Sequence, residues 1–201
     1  MARRRRNNLR SSPKHPRAFS QGKLSMPSSL DTEIKVPREA AAGNSKQSFR
    51  NSAAFGKRIE YWIIGNMLKE GLDVYVPLVD DHAVDAIVKR RDGSTALIQI
   101  KARSKTVKDG DAALFAAIPH EEIRQNYWFV FYSERMEKIW IMTSDEFFHD
   151  ALVNKTGKNV GLRTIWFNGN RMNKATGKKE EYCRPQWEKY LATDFSRIAA
   201  N

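Results

Sequence analysis

The feature that most constrains the chain is Asp85, a carboxylate set in the apolar run Ala83-Val84-Asp85-Ala86-Ile87-Val88. A second run, Leu97-Ile98-Gln99-Ile100-Lys101, follows the polar turn Arg91-Asp92-Gly93. Two short apolar segments around a glycine-bearing turn predict a β-hairpin. A carboxylate inside such a strand is costly to bury unless it is paired, hydrogen-bonded or bound to a cation. Gln99 and Lys101 lie two residues apart and leave one face of their strand, while Ile98 and Ile100 leave the other.

The turn decides whether Asp85 joins that polar pair. A three-residue loop, a type I turn closed by Gly93 in the left-handed conformation, pairs Arg90 with Ser94. Counting back in step sets Asp85 opposite Gln99, with Lys101 diagonal to both and within reach of one small ion. A two-residue loop at Asp92-Gly93 would set Asp85 opposite Ile100 and turn it to the wrong face. Upstream, Ser52 to Gly71 reads as a helix: Asn51 or Ser52 caps it, Phe55, Ile59, Ile63 and Met67 recur at four-residue spacing, and Gly71 closes it. Glu60 lies beside that apolar stripe, where it can reach over the edge of a sheet packed beneath. Leu72 to Val79 reads as a first strand.

This order, a helix bearing Glu60, a strand bearing Asp85 and a strand bearing Gln99-x-Lys101, resembles the PD-(D/E)XK nuclease superfamily, which includes restriction-type endonucleases and Holliday-junction resolvases. The resemblance spans Ser52 to Tyr132. Val84 stands at the name-giving proline, which is not a ligand, and Gln99 replaces the motif's acidic residue, as in Mrr-like members. The resemblance implies a restriction-endonuclease-like α/β fold with a mixed central sheet flanked by helices. It also implies a site of Glu60, Asp85, Gln99 and Lys101 that hydrolyses DNA phosphodiesters with Mg²⁺, for which Mn²⁺ substitutes, leaving 5′-phosphate and 3′-hydroxyl ends.

The chemistry fits those residue types. Mg²⁺ takes an octahedral oxygen shell, keeps several waters, and is typically held by one or two carboxylates plus substrate phosphate oxygen. Asp85, the Gln99 side-chain oxygen and the Ile100 main-chain oxygen make such an open set, with Glu60 acting through water or on a second ion. Lys101 is suited to orient the attacking water and to stabilise developing charge. The missing charge at Gln99 predicts one tightly bound ion rather than two. Taken singly, each residue also has an ordinary structural reading: Asp85 as an ion-pair partner of Lys101 or Arg103, Gln99 as a strand residue facing solvent, Lys101 as an edge charge that discourages strand pairing, Glu60 as an exposed helix position. The alternative function is therefore a non-catalytic nucleic-acid-binding module that keeps the nuclease fold.

Charge organises the remainder. The 201 residues carry a net charge of +12. Residues 1–50 hold 12 Lys and Arg against 3 Asp and Glu, a net of +9, and the rest holds 23 against 20, a net of +3. Residues 1–50 are Ser- and Pro-rich and poor in aromatics, and they include the run Arg3-Arg4-Arg5-Arg6. They are expected to form a disordered arm that tethers phosphates without reading sequence, leaving residues 51–201 as the folded domain. Arg103, Lys105 and Lys108 sit at the mouth of the expected site, where they would meet DNA phosphates.

Several classes are set aside. There is no apolar signal core and no stretch of membrane-spanning length. The lone Cys183 allows no internal disulfide. These point to an intracellular protein, cytoplasmic or nucleoid-associated, with organelle and nuclear targeting both open because the start is rich in Arg and Ser. His15, His82, His120 and His149 are too scattered for zinc. Gly177-Lys178 lacks the P-loop spacing, so no nucleotide cofactor is expected. Cutting both strands favours a homodimer.

Downstream, Ala112–Ala117 reads as a short apolar segment and Pro119–Gln125 as a short helix. Tyr127–Tyr132 and Lys138–Met142 read as a hairpin, and Ser144 opens a helix with Phe147, Phe148 and Leu152 turned inward. Leu162–Phe167 reads as a strand, Asn168–Lys179 as a basic loop, and Pro185–Ile198 as a terminal helix.

Overall fold

The computed structural model describes residues 51–79 and 82–200. The arm bearing Arg3, Arg4, Arg5 and Arg6, with its expected disorder, tethering and targeting roles, lies outside them. Helix α1 (Ser52–Lys69) starts where the sequence indicated, with the Asn51 side chain accepting the Ala54 N–H at 2.7 Å. It stops at Gly71, whose φ of +85° permits the Leu72 N–H to reach back to the Met67 carbonyl at 3.1 Å. Phe55, Ile63, Ile64 and Met67 are its buried face, each contributing about 1.5–3 kcal/mol by removal from water.

The strands follow as β1 (Asp73–Tyr75), β2 (Ala86–Lys89), β3 (Thr95–Arg103), β4 (Leu114–Ile118), β5 (Tyr127–Ser133) and β6 (Lys138–Thr143). After helix α2 (Ser144–Asp150) come β7 (Leu152–Val153), β8 (Arg163–Trp166), β9 (Asn168–Met172), β10 (Lys179–Cys183), a 3₁₀ turn at Pro185–Tyr190, β11 (Leu191–Ala192) and the short helix α3 (Ser196–Ala199). Among the described residues the central sheet has six strands in the order β1-β2-β3-β5-β6-β11. It is mixed, because β3 and β5 run parallel while the other pairs are antiparallel. Side β-layers are β4-β8-β7 and the separate ribbon β9-β10.

Period-two alternation sorts the sheet's side chains into two cores. On one face α1 packs Ile63, Ile64 and Met67 over Val88, Ile98, Ile100, Val130 and Ile141, closed by Phe195 and Ile198. On the other face, Phe129, Phe131, Trp140 and Met142 meet Phe147 of α2 together with Phe115, Ile165 and Phe167. The expected α/β architecture, a mixed central sheet flanked by helices, is what the structure shows.

Several local expectations are corrected. Leu72–Val79 yields only the three-residue β1. Pro119–Gln125 is not helical: the Arg124 N–H is drawn to Ser144 Oγ at 2.7 Å, and the next turn places Asn126 at φ 54°. Leu152 is 75% exposed rather than packed inward. Pro185–Ile198 is broken into the 3₁₀ turn, β11 and α3, because Leu191 and Ala192 pair with Trp140 and Ile139 at the edge of β6.

Candidate active site

Turn chemistry sets the hairpin as the sequence indicated. Arg90 N–H donates to the Ser94 carbonyl at 2.9 Å, Gly93 N–H to the Arg90 carbonyl at 3.0 Å, and Gly93 has φ +87°. Ala86 faces Ile98, Val88 faces Ala96, and the ladder is in the register of a three-residue loop.

Asp85, expected opposite Gln99, instead leaves that ladder. Its N–H donates at 2.8 Å to the Ile98 carbonyl, although Ile98 is already the register partner of Ala86. Two consecutive residues addressing one partner is the arrangement of a β-bulge. The chain enters it through Ala83, held at φ 54° with its carbonyl accepting the Tyr127 hydroxyl. Left-handed backbone at alanine costs about 1–2 kcal/mol. It turns Val84 into the core and aims Asp85 along the sheet.

The consequence is chemical. Asp85 Oδ2 accepts the Ile100 N–H at 2.7 Å, so a side-chain carboxylate continues the ladder where the β2 backbone stops. Beyond Ile98, no strand pairs with the β2 side of β3 among the described residues, which leaves an open edge there. Main-chain groups of alternate strand residues point the same way, so the Ile100 carbonyl faces that edge too, beside Asp85. The odd-numbered groups turn to β5 instead, as the Leu97 N–H does toward Asn126 O at 2.8 Å.

Gln99 and Lys101 project onto the face of the sheet away from α1, in line with Leu97, which packs against the second core. Gln99 is only 4% exposed, and its amide makes no hydrogen bond among the described residues. Lys101 is half-buried and makes no ion pair among them. Glu60 sits on α1, on the opposite face, with 18% of its side chain exposed. Asp85 and Ile100 thus lie at the strand edge, Gln99 and Lys101 on one face of the sheet, and Glu60 on the helix that covers the other.

Lys57, one turn before Glu60, is its ion-pair partner. Its ammonium contacts the Glu60 carboxylate. Its pKa is raised, first by that hydrogen bond and further by the charges of Glu60 and Asp85, with desolvation acting the other way. Sequence reasoning did not single it out. The signal was the i, i+3 spacing of opposite charges on a helix.

The candidate ligands all offer oxygen: the carboxylates of Asp85 and Glu60, the Gln99 side-chain carbonyl and the Ile100 main-chain carbonyl. That all-oxygen set suits a hard divalent cation. No group of three or more His, Cys, Asp or Glu side chains is gathered for a metal among the described residues. A cation here would draw on amide and main-chain oxygen as well as carboxylate.

Arg103, Lys105 and Lys108 follow at the end of β3 and in the loop beyond. Arg103 is engaged by that loop, with Nε donating to the Asp111 carbonyl at 3.3 Å. Lys105 and Lys108 are exposed, while Arg135 holds the loop by the carbonyls of Lys105, Val107 and Lys108.

No family model and no curated protein matches the chain. Among solved structures, it is similar to a bacterial homing endonuclease, I-Ssp6803I, with 21% identity and a TM-score of 0.41 over 57% of this chain and 89% of that one. No helix among the described residues is long and apolar enough to cross a membrane.

Proposed function

We propose that the protein is a Mg²⁺-dependent endonuclease of the Q-x-K type, hydrolysing DNA phosphodiesters at the open edge of β3, with Mn²⁺ able to substitute. The observation that carries this reading is the Asp85 carboxylate seated on the Ile100 N–H at 2.7 Å, which sets an acid beside a main-chain oxygen at the edge of the strand that carries Gln99 and Lys101. Asp85, Gln99 and Ile100 would hold one ion directly and Glu60 through water. A cation bound there would supply positive charge to the phosphate and acidity to its waters.

The chain's own residues account for the remaining tasks. Lys101 holds the attacking water by hydrogen bond and faces the phosphoryl oxygens, where an ammonium offsets charge that develops only as the bond to the leaving oxygen breaks. Glu60 takes up a proton or a water at the far side of the edge. Lys105 and Lys108 place the backbone by phosphate contact. A homodimer would present two such sites to the two strands.

The test is cleavage of linear, supercoiled, branched and single-stranded DNA, with and without Mg²⁺ or Mn²⁺, by the wild-type chain and by Asp85→Ala and Lys101→Ala. Metal-dependent cutting lost in both variants is expected. No cutting on any substrate, with DNA binding retained, would favour the other reading, a binding module without catalysis. One observation favours that alternative: Lys57 already contacts Glu60, so one of the two acids has a cation without any metal. Gln99→Glu separates roles at that position. A rise in activity and metal affinity marks the glutamine as a weak ligand, and a loss marks its neutral amide as necessary.

A further inference from the structure

The segment Asn168–Lys179, expected as a basic loop, is instead half of a two-stranded antiparallel ribbon. Strands β9 and β10 pair Met172 with Lys179, Arg171 with Glu180 and Asn170 with Glu181, and neither belongs to another sheet. With its closing turn the ribbon is about 20 Å long at 3.4 Å per residue. From Arg171 to Lys179 it carries four cations and no acid.

The ribbon is held rigidly at both ends. At its base, Asn168 is fully buried; its Oδ1 accepts the Ala113 N–H at 2.9 Å and its Nδ2 donates to the Gly110 carbonyl at 3.0 Å. Tyr182 lies across Gly169, where a Cβ would come within 2.7 Å of the ring. At the tip, Asn173 Oδ1 accepts the Ala175 N–H at 2.9 Å and the Gly177 N–H closes on the Asn173 carbonyl at 2.8 Å. Both ribbon acids are engaged. Glu180 takes Asn173 and Arg171 within the ribbon, and Glu181 takes Arg135 and the Gly110 N–H. Lys174, Lys178 and Lys179 remain exposed and make no ion pair among the described residues.

Glu181 also fixes where the ribbon stands. Gly110 and Arg135 belong to the loop that follows the catalytic strand β3 and to its clamp. Lys179 of the ribbon and Lys105 of that loop both line an open concavity of about 330 Å³. A two-stranded β-ribbon fits the major groove of B-DNA, about 12 Å wide. Cations at its tip and flank match the phosphates on either side.

We propose that the β9–β10 ribbon docks in the major groove of duplex DNA, with Lys174 and Lys178 at its tip and Lys179 and Lys105 against the flanking backbone, so positioning the duplex over the β3 edge. This rests on the nuclease reading above and extends it by naming the element that engages the substrate.

The test measures binding apart from cutting. The full chain carrying Asp85→Ala is titrated against a fluorescent duplex without metal over a range of salt, with and without Lys174→Gln, Lys178→Gln and Lys179→Gln together. Affinity at low salt falls at least tenfold, and the slope of log affinity against log salt becomes shallower by about 2 to 3, one counterion per lost phosphate contact. A duplex whose cytosines are glucosylated hydroxymethylcytosine, which fills the major groove, binds the parent at least tenfold more weakly. Unchanged affinity in the triple variant overturns the proposal, as do equal binding to the glucosylated duplex and tighter binding to double-stranded RNA. Acetylation of Lys174, Lys178 and Lys179 in the unsubstituted chain gives a second readout. Protection by DNA supports docking, and equal reactivity overturns it. Wild type that never cleaves but binds through the ribbon refutes only the nuclease reading; wild type that cleaves while the triple variant binds like its parent refutes only the ribbon.

Discussion

Asp85 and Ile100 are joined by a hydrogen bond in which a carboxylate side chain replaces a strand backbone: Oδ2 accepts the Ile100 N–H at 2.7 Å at the point where β2 ends. This makes the same atom group a structural element and a candidate metal ligand, and the two roles separate by substitution. Asp85→Asn keeps an oxygen for the Ile100 N–H and is expected to retain stability within about 1 kcal/mol, whereas Asp85→Ala leaves that N–H unpartnered and costs about 1–3 kcal/mol. Both variants lose metal-dependent cleavage. Urea unfolding beside the nuclease assay checks this, and full activity in Asp85→Asn would remove the carboxylate from the mechanism.

Lys57 contacts Glu60 and lies in the field of Asp85, so it opposes a divalent cation at the same acids. Lys57→Ala is expected to tighten Mn²⁺ binding roughly fivefold, which corresponds to about 1 kcal/mol for a nearby charge at a well-solvated surface. Calorimetric titration reads this directly. Weaker binding would make the lysine part of the site's support rather than a competitor.

Gly93 closes the hairpin loop at φ +87° with open space around its α-carbon. Gly93→Ala therefore meets no steric neighbour and pays only for left-handed backbone, about 1–2 kcal/mol. A larger loss in chemical unfolding, accompanied by loss of cleavage, would mean that the register had slipped and carried Asp85 with it.

His120 is buried among Tyr127, Phe129 and Phe147, its Nε2 2.8 Å from Ser144 Oγ. Desolvation holds its pKa below the usual 6.5; the Ser144 hydrogen bond acts against this, and the charges of Arg124 and Arg163 add to it. The unfolded chain takes up this proton first, so the ring's contribution to stability is complete above pH 6.5 and is lost as pH falls from there through the folded pKa. His120→Gln is expected to flatten that part of the pH–stability profile. An identical slope in the variant would assign acid sensitivity to other groups.

The hairpin was legible because its information is local: Gly93 fixes the turn, the turn fixes the register, and the register fixes which residues meet. Helix α1 was legible for the same reason, with Asn51 and Gly71 as its punctuation. The bulge at Asp85 was not, since nothing in Ala83-Val84-Asp85 announces left-handed alanine; Tyr127, far along the chain, holds the Ala83 carbonyl. The C-terminal segment misled through its spacing. Trp187, Tyr190, Leu191 and Phe195 recur as on a helix, yet the exposed edge of β6 captures Leu191 and Ala192 as a strand. The ribbon was hidden by its composition, in which lysines, asparagines and glycines carry little β-preference and pairing comes from β10 and the buried Asn168.

The segment that holds Phe195 and Ile198 gives the hairpin a schedule. Arg90 Nε donates to the Ile198 carbonyl at 2.7 Å, and Glu70 at the end of α1 accepts the Phe195 N–H at 2.9 Å. Phe195 and Ile198 also close the core beneath Ile98 and Ile100. During synthesis, the strands that bear Asp85 and Lys101 emerge long before the residues that seat them. A ribosome-bound chain that has emerged only as far as Lys101 still lacks that support, so the candidate site would be seated only once residues 195–198 have followed.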